Sequence, residues 1–234
     1  MTNWEAYWVR RPTSFGEGEY LKQVELTVNG KPYSELEFQQ VTSRIADRMA
    51  LGEDDALLDV CCGNGVFTAE LAKRCRQVVG IDFSEPLLQT ANRVHRPDNV
   101  TYLRANALDI DFLRLERQKQ FTKVLINRAL QYFSTQELRP LLENLLKLST
   151  DNVVIFACGI PNIGQKNRFF NSLKKKIRYI YYRLRRRDSL GTWWDESFIR
   201  KICADLGLRC EFYFLGESVD LSSQHYRFDV KISR

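Results

Sequence analysis

The sequence predicts an α/β fold in which helices cover both faces of a mostly parallel β-sheet. Short apolar and β-branched runs at 57–60, 78–82, 100–103, 124–126 and 153–158 have the length of buried strands. The stretches between them carry apolar residues at helical spacing, and this alternation is typical of parallel strands joined by helices. A chain of 234 residues is long enough to bury one full core.

The pattern divides the chain into four segments. The first is rich in aromatic residues and is predicted to contain a helix near 4–10, a short helix near Tyr20 and a helix at 35–51 that packs on the sheet. The last is predicted to contain a helix followed by two antiparallel strands, near 210–215 and 226–232. The predicted segments are 1–50, the core 51–158, an insertion 159–193 and the carboxyl-terminal segment 194–234.

Polar residues mark the predicted starts of three helices. Ser84 precedes a helix with Pro86 in its first turn. Ser134 and Glu137 have the spacing of a capping box. Asp195 stands before the helix of the carboxyl-terminal segment.

A glycine turn follows the first predicted core strand. Gly63 and Gly65 flank Asn64, and a helix is predicted from Val66 to about residue 75. Glycine lets a ligand lie against the backbone, and the helix directs amide groups toward it. Asp82 ends the next strand at the same edge of the sheet, where its carboxylate suits paired ribose hydroxyls. The pattern therefore predicts a nucleoside site.

The spacing separates two cofactor classes. A nicotinamide-binding turn requires a third glycine three residues after Gly65, and Thr68 occupies that position. The run from Asp59 to Gly65 instead resembles motif I of the class I S-adenosylmethionine-dependent methyltransferases. That family usually places its first glycine where this chain has Cys61, so the motif departs from the family there.

The resemblance implies a seven-stranded Rossmann-like sheet whose last strand is antiparallel, an amino-terminal lid, and S-adenosylmethionine as cofactor. In the family the acid that opens motif I orients the loop or the methionyl amine, and the acid after the second strand binds ribose. Transferred to this chain, the expected cofactor-binding residues are Tyr20, Asp59, Cys61, Gly63, Gly65, Asp82, Phe83, Asn106, Ala107 and Asn127.

The acceptor side is less defined by sequence. Methyl transfer is an in-line displacement, so the enzyme positions a nucleophile and helps a hydroxyl lose its proton. His225 begins the last predicted strand over the crevice and is the candidate general base, although a lone histidine is as often structural. Arg128 and Tyr132 follow the fourth strand and are the candidate substrate-binding residues.

Elimination favours an oxygen acceptor. The sequence after the fourth strand lacks the element that resembles the base-holding motif of DNA amino-methyltransferases, and no metal-ligand cluster indicates a divalent site. We therefore expect an acceptor hydroxyl on a sugar or another small molecule; the basic segment adds a lipid-linked glycan, and the family resemblance implies surface-polysaccharide synthesis as one setting. Some compact methyltransferases of that setting are similar in their aromatic amino-terminal segment.

One segment makes the protein basic. The net charge is +6, and residues 166–187 carry ten basic residues and no acidic one. Apolar residues at helical spacing run through the segment, and Phe169, Phe170, Tyr181 and Tyr182 are predicted to face a membrane surface. A lid over a phosphorylated or lipid-linked acceptor, a solvated cap helix and an RNA clamp are the alternatives.

Three further expectations complete the sequence-based hypothesis. The amino-terminal residues lack the pattern of a signal peptide, so we expect a cytoplasmic protein, peripheral to the inner membrane if the basic segment binds lipid. An RNA methyltransferase and a non-catalytic membrane- or polyanion-binding module are the rival functions. An oxidoreductase is disfavoured by Thr68.

Overall fold

A computed structural model describes residues 4–28, 30–109, 121–170, 172–173, 177, 179–181, 191–214 and 225–234. The amino-terminal elements are α1 Trp4–Arg10, α2 Tyr20–Gln23, β1 Thr27–Val28, β2 Lys31–Pro32 and α3 Glu35–Met49. The core elements are β3 Ala56–Val60, α4 Val66–Ala72, β4 Gln77–Asp82, α5 Glu85–Val94, β5 Val100–Arg104, β6 Phe121–Asn127, α6 Leu138–Lys147 and β7 Ser149–Pro161. The chain continues with α7 Lys166–Phe169, α8 Glu196–Asp205, β8 Arg209–Phe214 and β9 Arg227–Ser233.

Seven strands form one sheet in the order β5-β4-β3-β6-β7-β9-β8. The pairs from β5 to β7 are parallel, and β9 is antiparallel to both of its neighbours. All five residues of β3 are buried, as expected for a central parallel strand covered on both faces. The predicted fold class, including the antiparallel last strand, is confirmed.

Each face of the sheet has its own layer of helices. On one face, Leu58 and Ile126 pack in a cluster with residues of α6 and α8. On the other face, Leu57 and Phe156 pack with residues of α3, α4 and α5. This two-sided burial of apolar side chains is the main stabilising contribution to the fold.

The local helix signals are partly confirmed. Ser134 and Glu137 form the predicted capping box, and Asp195 caps α8 by accepting a hydrogen bond from the Ser197 amide at 2.8 Å. The prediction for Ser84 was wrong in one respect: its side chain makes no cap hydrogen bond. Ser84 Oγ instead donates to the carbonyl oxygen of Trp8 at 2.8 Å, and so connects α5 to α1.

The β1–β2 hairpin was not predicted, and α4 ends three residues before the predicted position, at Ala72. None of the helices within the described residues combines the length and apolar composition needed to cross a membrane. Of the basic segment, Lys174 to Lys176, Arg178, Tyr182, Arg183 and Arg185 to Arg187 lie outside the described residues.

The two phenylalanines of that segment are placed differently from the prediction. Phe170 is 8% exposed and Phe169 is half-buried, and both pack against Trp193 and Tyr226. Their rings therefore face the protein interior and are not available to a membrane surface. Other side chains of the fold cover most of the apolar surface of these rings.

Candidate active site

A cavity lies where the carboxyl ends of β3, β4 and β6 meet, at the edge where parallel α/β sheets bind ligands. It encloses about 720 Å³, including the space open to solvent. The residues that line it come from the sheet edge, the glycine turn and the amino-terminal segment: Trp8, Val24, Glu25, Leu26, Asp59, Cys61, Cys62, Asn64, Val66, Phe67, Asp82, Leu87, Asn127, Arg128, Ala129, Gln131 and Tyr132.

The glycine turn has the backbone that the sequence predicted. Gly63 and Gly65 have φ values of 60° and 78°, and Gly65 is the residue before α4. A Cβ atom on Gly65 would lie 2.7 Å from Tyr102 Cζ and 3.0 Å from Ala91 Cβ. Glycine is therefore required there both by the dihedral angles and by the packing of Tyr102 against the turn.

Asp82 connects the second strand to that turn. Its Oδ2 accepts from the Gly63 amide at 2.9 Å and its Oδ1 accepts from the Ser84 amide at 2.8 Å. Burial raises the pKa of Asp82 to about 6, although these amide hydrogen bonds oppose the shift. Each carboxylate oxygen keeps a second lone pair, so Asp82 can still accept from hydroxyl groups of a ligand.

Asp59 lies below the turn and is only 2% exposed. Thr68 Oγ1 donates to Asp59 Oδ2 at 2.6 Å, so the residue that replaces a third glycine holds the first acid of the motif. Burial raises the pKa of Asp59 to about 7, with a smaller contribution from the negative charge of Asp82, while the Thr68 hydroxyl opposes the shift. Asp59 therefore changes charge near neutral pH.

Asp59→Asn is expected to stabilise the protein only at higher pH. The folded-state pKa lies above the ordinary value of 3.8, so the contribution of Asp59 to stability is fully present below about pH 4 and lost as pH rises through about 7. At about 1.4 kcal/mol per pKa unit, the variant should gain up to about 4 kcal/mol in free energy of unfolding. Urea unfolding of both proteins at pH 4.5 and pH 8.5 measures this gain. A difference between variant and wild type that does not change with pH would contradict the prediction.

Backbone strain is concentrated at the cavity. The non-glycine residues with positive φ among those described are Glu25, Ala50, Cys61 and Arg128, at 58°, 48°, 58° and 55°. Ala50 ends α3, and the other three line the cavity. Such conformations cost on the order of 1 to 3 kcal/mol each and tend to cluster at functional sites. Cys61, which stands where the resembling family usually has glycine, thus has a left-handed conformation that glycine adopts more readily.

Cys61→Gly is expected to leave the free energy of unfolding within about 1 kcal/mol of wild type. Relief of the left-handed strain, about 1 kcal/mol, is offset by the greater freedom of glycine in the unfolded chain. Cys61→Val should cost about 2 kcal/mol or more, because a branched side chain resists this conformation. Thermal denaturation of both variants tests this.

Cys62→Gly is the matched control for that pair. Cys62 does not have a positive φ, so glycine relieves no strain there and should destabilise the protein by about 1 kcal/mol. If the two glycine variants lost equal stability, the strain at Cys61 would carry no free energy.

The amino-terminal segment covers the cavity. Trp8 of α1 and three residues after α2, namely Val24, Glu25 and Leu26, line its outer side. The Trp8 ring packs edge-on against Tyr132, with centroids 5.4 Å apart. Glu25 accepts a hydrogen bond from the Tyr7 hydroxyl and pairs with Arg11 at 3.5 Å. These contacts hold the Glu25 carboxylate on the cavity wall, at a residue whose backbone has a positive φ.

The structure brings together several of the predicted site residues. Those that line the cavity are Asp59, Cys61, Asp82, Asn127, Arg128 and Tyr132. Gly63 and Gly65 form the turn on either side of Asn64, which also lines it. Tyr20 lies behind the turn: its carbonyl oxygen accepts from Asn64 Nδ2 at 2.8 Å, and its ring packs against His95. Tyr20 therefore supports the turn from outside the cavity.

Besides Tyr20, four predicted residues do not line the cavity. Asn106 Oδ1 accepts from the Leu108 amide, and Ala107 is buried in the core. The Phe83 carbonyl accepts from Arg104 Nε at 3.2 Å. His225 packs edge-on against Tyr226 and is not among the residues that line this cavity, so its role as the general base stays a prediction.

Sequence reasoning missed Trp8, Glu25, Asn64 and Gln131. Asn64 stood between the two glycines and was the signal that could have been used. Trp8 and Glu25 belong to the aromatic segment, but nothing in their local pattern distinguishes them from neighbouring residues. Within the described part of the chain, no group of three or more His, Cys, Asp and Glu residues is arranged to hold a metal ion.

A family model for the methyltransferase domain matches residues 57–152. That span contains the glycine turn, Asp82 and Asn127. Residues 57–152 form a methyltransferase domain. The domain thus contributes one wall of the cavity, and the amino-terminal segment that covers it lies outside the match.

Two curated methyltransferases are similar to the chain at low identity. The 23S rRNA (uracil(1939)-C(5))-methyltransferase RlmD of Aliivibrio salmonicida (strain LFI1238) is 28% identical over 165 residues, covering 66% of this chain and 36% of that protein. The 2-phytyl-1,4-naphtoquinone methyltransferase of Nostoc sp. (strain PCC 7120 / SAG 25.82 / UTEX 2576) is 26% identical over 178 residues, covering 71% and 65%. The chain spans about a third of the first relative's length.

Solved methyltransferases share the fold over almost the whole chain. The N-methyltransferase NodS from Bradyrhizobium japonicum WM9, in complex with S-adenosyl-L-homocysteine, has a TM-score of 0.67 at 14% identity, covering 99% of this chain and 98% of that one. A SAM-dependent methyltransferase from Anabaena variabilis ATCC 29413 has a TM-score of 0.64 at 18% identity, covering 99% and 93%. The predicted resemblance is confirmed for domain and fold.

Proposed function

We propose that the protein is an S-adenosylmethionine-dependent methyltransferase that acts on a hydroxyl group of a small molecule, such as a sugar or a lipid-linked glycan. The cavity beside the glycine turn and Asp82, within a methyltransferase domain, is the observation that carries the proposal. When bound, this cofactor supplies a methyl group on a positively charged sulfur. The chain's own residues hold the two reactants and exclude water.

Unpaired polar atoms make the cavity suitable for a nucleoside. Trp8 Nε1 and Asn64 Oδ1 are buried without a hydrogen-bond partner in the described structure, and both residues line the cavity. Leaving such groups unpaired costs about 1 to 3 kcal/mol each, which a ligand with donors and acceptors would recover. Asp82 would hold ribose hydroxyls, and Asp59 would favour a positively charged group nearby.

The covered cavity favours a small acceptor. Trp8 and Leu26 of the amino-terminal segment line the cavity together with Tyr132, as expected for a concave, partly apolar small-molecule site. A macromolecular acceptor would have to displace the amino-terminal segment. The naphtoquinone methyltransferase relative acts on a small molecule by its name, which agrees with this argument.

Glu25 replaces His225 as our candidate for accepting the hydroxyl proton. Of the three carboxylates that line the cavity, Asp59 and Asp82 are buried and bound to Thr68 and to backbone amides. Glu25 is part of the covering segment and about two-fifths of its side chain is exposed, at 38%. The contacts of Glu25 with Tyr7 and Arg11 both involve Oε1, so Oε2 can accept a proton from a hydroxyl placed in the cavity.

Two measurements test the proposal. Titration calorimetry with S-adenosylhomocysteine should show binding, whereas no binding, or binding of a nicotinamide dinucleotide instead, would overturn it. A methyl-labelled cofactor is then incubated with the protein and with separate small-molecule and RNA fractions of a cell extract. Label in the small-molecule fraction is expected. Label found only in RNA would instead support an RNA methyltransferase, the alternative that the similarity to RlmD suggests.

A second proposal concerns location: the segment after β7 places the enzyme on an anionic membrane surface. Leu173, Ile177, Ile180 and Tyr181 are 73%, 58%, 56% and 48% exposed, and their numbers fall at the spacing of one helix face. Residues 166–187 carry ten basic residues and no acid, which complements anionic lipid. Exposed apolar side chains among basic residues are typical of an interfacial helix.

Co-sedimentation with vesicles measures this association. Binding is expected to vesicles that contain phosphatidylglycerol, to weaken by about tenfold in Leu173→Glu/Ile177→Glu, and to fall with added salt. Leu36→Glu is the matched control, because Leu36 is 67% exposed on α3, elsewhere on the surface. Equal binding to neutral vesicles would contradict the proposal. Binding to RNA without binding to the anionic vesicles would contradict it as well.

A further inference from the structure

Two arginines, Arg128 and Arg227, lie at the part of the cavity that Gln131 lines. Arg227, at the start of β9, is 5% exposed, and its Nη1 donates to Gln131 Oε1 at 3.0 Å and to the carbonyl oxygen of Gly159. Gln131 in turn lines the cavity. The hydrogen bond to Oε1 fixes the orientation of this amide, so that Nε2 is its donor end.

Arg128 lines the cavity itself and is held from two sides. Its stem packs over Gly159, where an added Cβ would lie 2.8 Å from Arg128 Cγ. Its Nη1 donates to the Tyr33 hydroxyl at 3.1 Å, and its amide donates to the carbonyl of Cys158 at 2.9 Å. The left-handed backbone at Arg128 therefore directs a fixed cationic side chain along the cavity wall.

Neither arginine has a carboxylate partner among the described residues. The hydrogen-bond acceptors recorded for both are neutral oxygens, and Arg227 Nε has no partner within the described structure. Glu25 interacts electrostatically with Arg128, and Asp229 with Arg227, but each carboxylate has its own closer contacts. Glu25 pairs with Arg11, and Asp229 accepts from the Gly159 amide at 2.8 Å and lies 3.7 Å from Arg44.

Buried positive charge of this kind is costly. Burial, together with the positive charge of Arg128, lowers the pKa of Arg227. A guanidinium removed from water without a counter-ion costs several kcal/mol, and an anionic ligand would compensate part of that cost. The planar fork of arginine matches the two oxygens of a carboxylate or phosphate.

We propose that Arg128 and Gln131 form an anion subsite that binds a carboxylate or phosphate group of the ligand in the cavity. Arg227 is a positioning residue that orients Gln131 and adds positive potential behind it. The inference rests on the proposed methyltransferase function and deepens it, since it specifies an anionic group. That group belongs either to the acceptor or to the amino-acid part of S-adenosylmethionine.

The experiment separates these two sources with three probes. S-adenosylhomocysteine carries the carboxylate, 5′-methylthioadenosine has the same nucleoside and sulfur without it, and inorganic phosphate stands for an anionic acceptor. Affinities are measured by calorimetry for wild type, Arg128→Gln and Arg128→Lys, with phosphate titrated both with and without saturating S-adenosylhomocysteine. Arg139→Gln removes the same charge from an exposed surface ion pair and is the matched control.

Two patterns support the subsite. If Arg128→Gln weakens S-adenosylhomocysteine by about tenfold or more but leaves 5′-methylthioadenosine within about twofold, the anion is the cofactor carboxylate. If instead the variant loses only phosphate binding by about tenfold, the anion belongs to the acceptor. Arg128→Lys should retain part of the affinity in either case, and Arg139→Gln should match wild type.

Unchanged affinities of Arg128→Gln for all three probes would overturn the subsite while leaving cofactor binding intact. Absence of S-adenosylhomocysteine binding by wild type would overturn the proposed function instead, and phosphate binding without cofactor would still test the subsite. Arg227→Met should lower the affinity for the probe that Arg128→Gln affects. Arg227→Lys should retain part of that affinity. Constant 5′-methylthioadenosine affinity in both variants distinguishes positioning from loss of the fold.

Discussion

Asp82→Ala is expected to reduce the affinity for S-adenosylhomocysteine by about 100-fold or more. The change removes the acceptors proposed for the ribose hydroxyls and leaves the Gly63 and Ser84 amides without their partner. Two charge-assisted hydrogen bonds at roughly 1.5 to 3 kcal/mol each correspond to this loss. Calorimetry at pH 8 measures it, because Asp82 is ionised well above its pKa of about 6.

The controls separate a binding effect from an unfolding effect. Asp82→Asn keeps an oxygen acceptor for one amide and should lose less affinity than alanine, while thermal denaturation reports whether each variant is folded. Glu85→Ala removes a nearby exposed carboxylate and should bind normally. Wild-type affinity in a folded Asp82→Ala protein would remove Asp82 from the site.

Gly65→Ala is expected to destabilise the protein by about 2 to 5 kcal/mol. The new methyl group would lie 2.7 Å from Tyr102 Cζ and closer still to the Tyr102 hydroxyl, and overpacking of this kind costs about 1 to 3 kcal/mol. The positive φ adds about 1 to 2 kcal/mol for any side chain. For a chain of this length the melting temperature should fall by about 10 °C.

Gly207→Ala supplies the matched control for the steric part. Gly207 has a φ of 70°, but an added Cβ there would meet nothing within 4 Å. Its cost should be the backbone term alone, about 1 to 2 kcal/mol. Gly65→Ala combined with Tyr102→Leu should be less destabilising than the sum of the two single changes, because the leucine removes the ring that clashes. Equal losses at Gly65 and Gly207 would contradict the packing argument.

Local sequence was sufficient to predict the strands of the seven-stranded sheet, the glycine turn and the acid after the second strand of the core. The spacing of Gly63, Gly65 and Asp82 encodes a turn and a strand end that lie close together in any parallel sheet, so their meeting follows from topology. Thr68, whose place in the motif predicts against a nicotinamide site, holds Asp59 through its hydroxyl in the structure. Phe83, Asn106 and Ala107 were transferred from the family by position and do not reach the cavity.

The candidate general base His225 illustrates a question that strand order leaves open. The position of the last strand correctly indicated the carboxyl edge of the sheet, but strand position does not determine where a side chain at the strand end points. The ring lies against Tyr226, and Arg227 is the neighbour that reaches the cavity wall through Gln131.

The sequence by itself determined the fold, the domain type and the side of the cavity formed by the glycine turn and Asp82, because those features depend on residues that are close in the chain or aligned by strand order. Only the tertiary structure decided which residues cover the cavity and which positive charges lie beside Gln131. Trp8 and Glu25 approach from the amino terminus, and Arg227 contacts Gln131 across 96 positions of sequence. Such contacts depend on how separate elements pack, and no local pattern of residues encodes them.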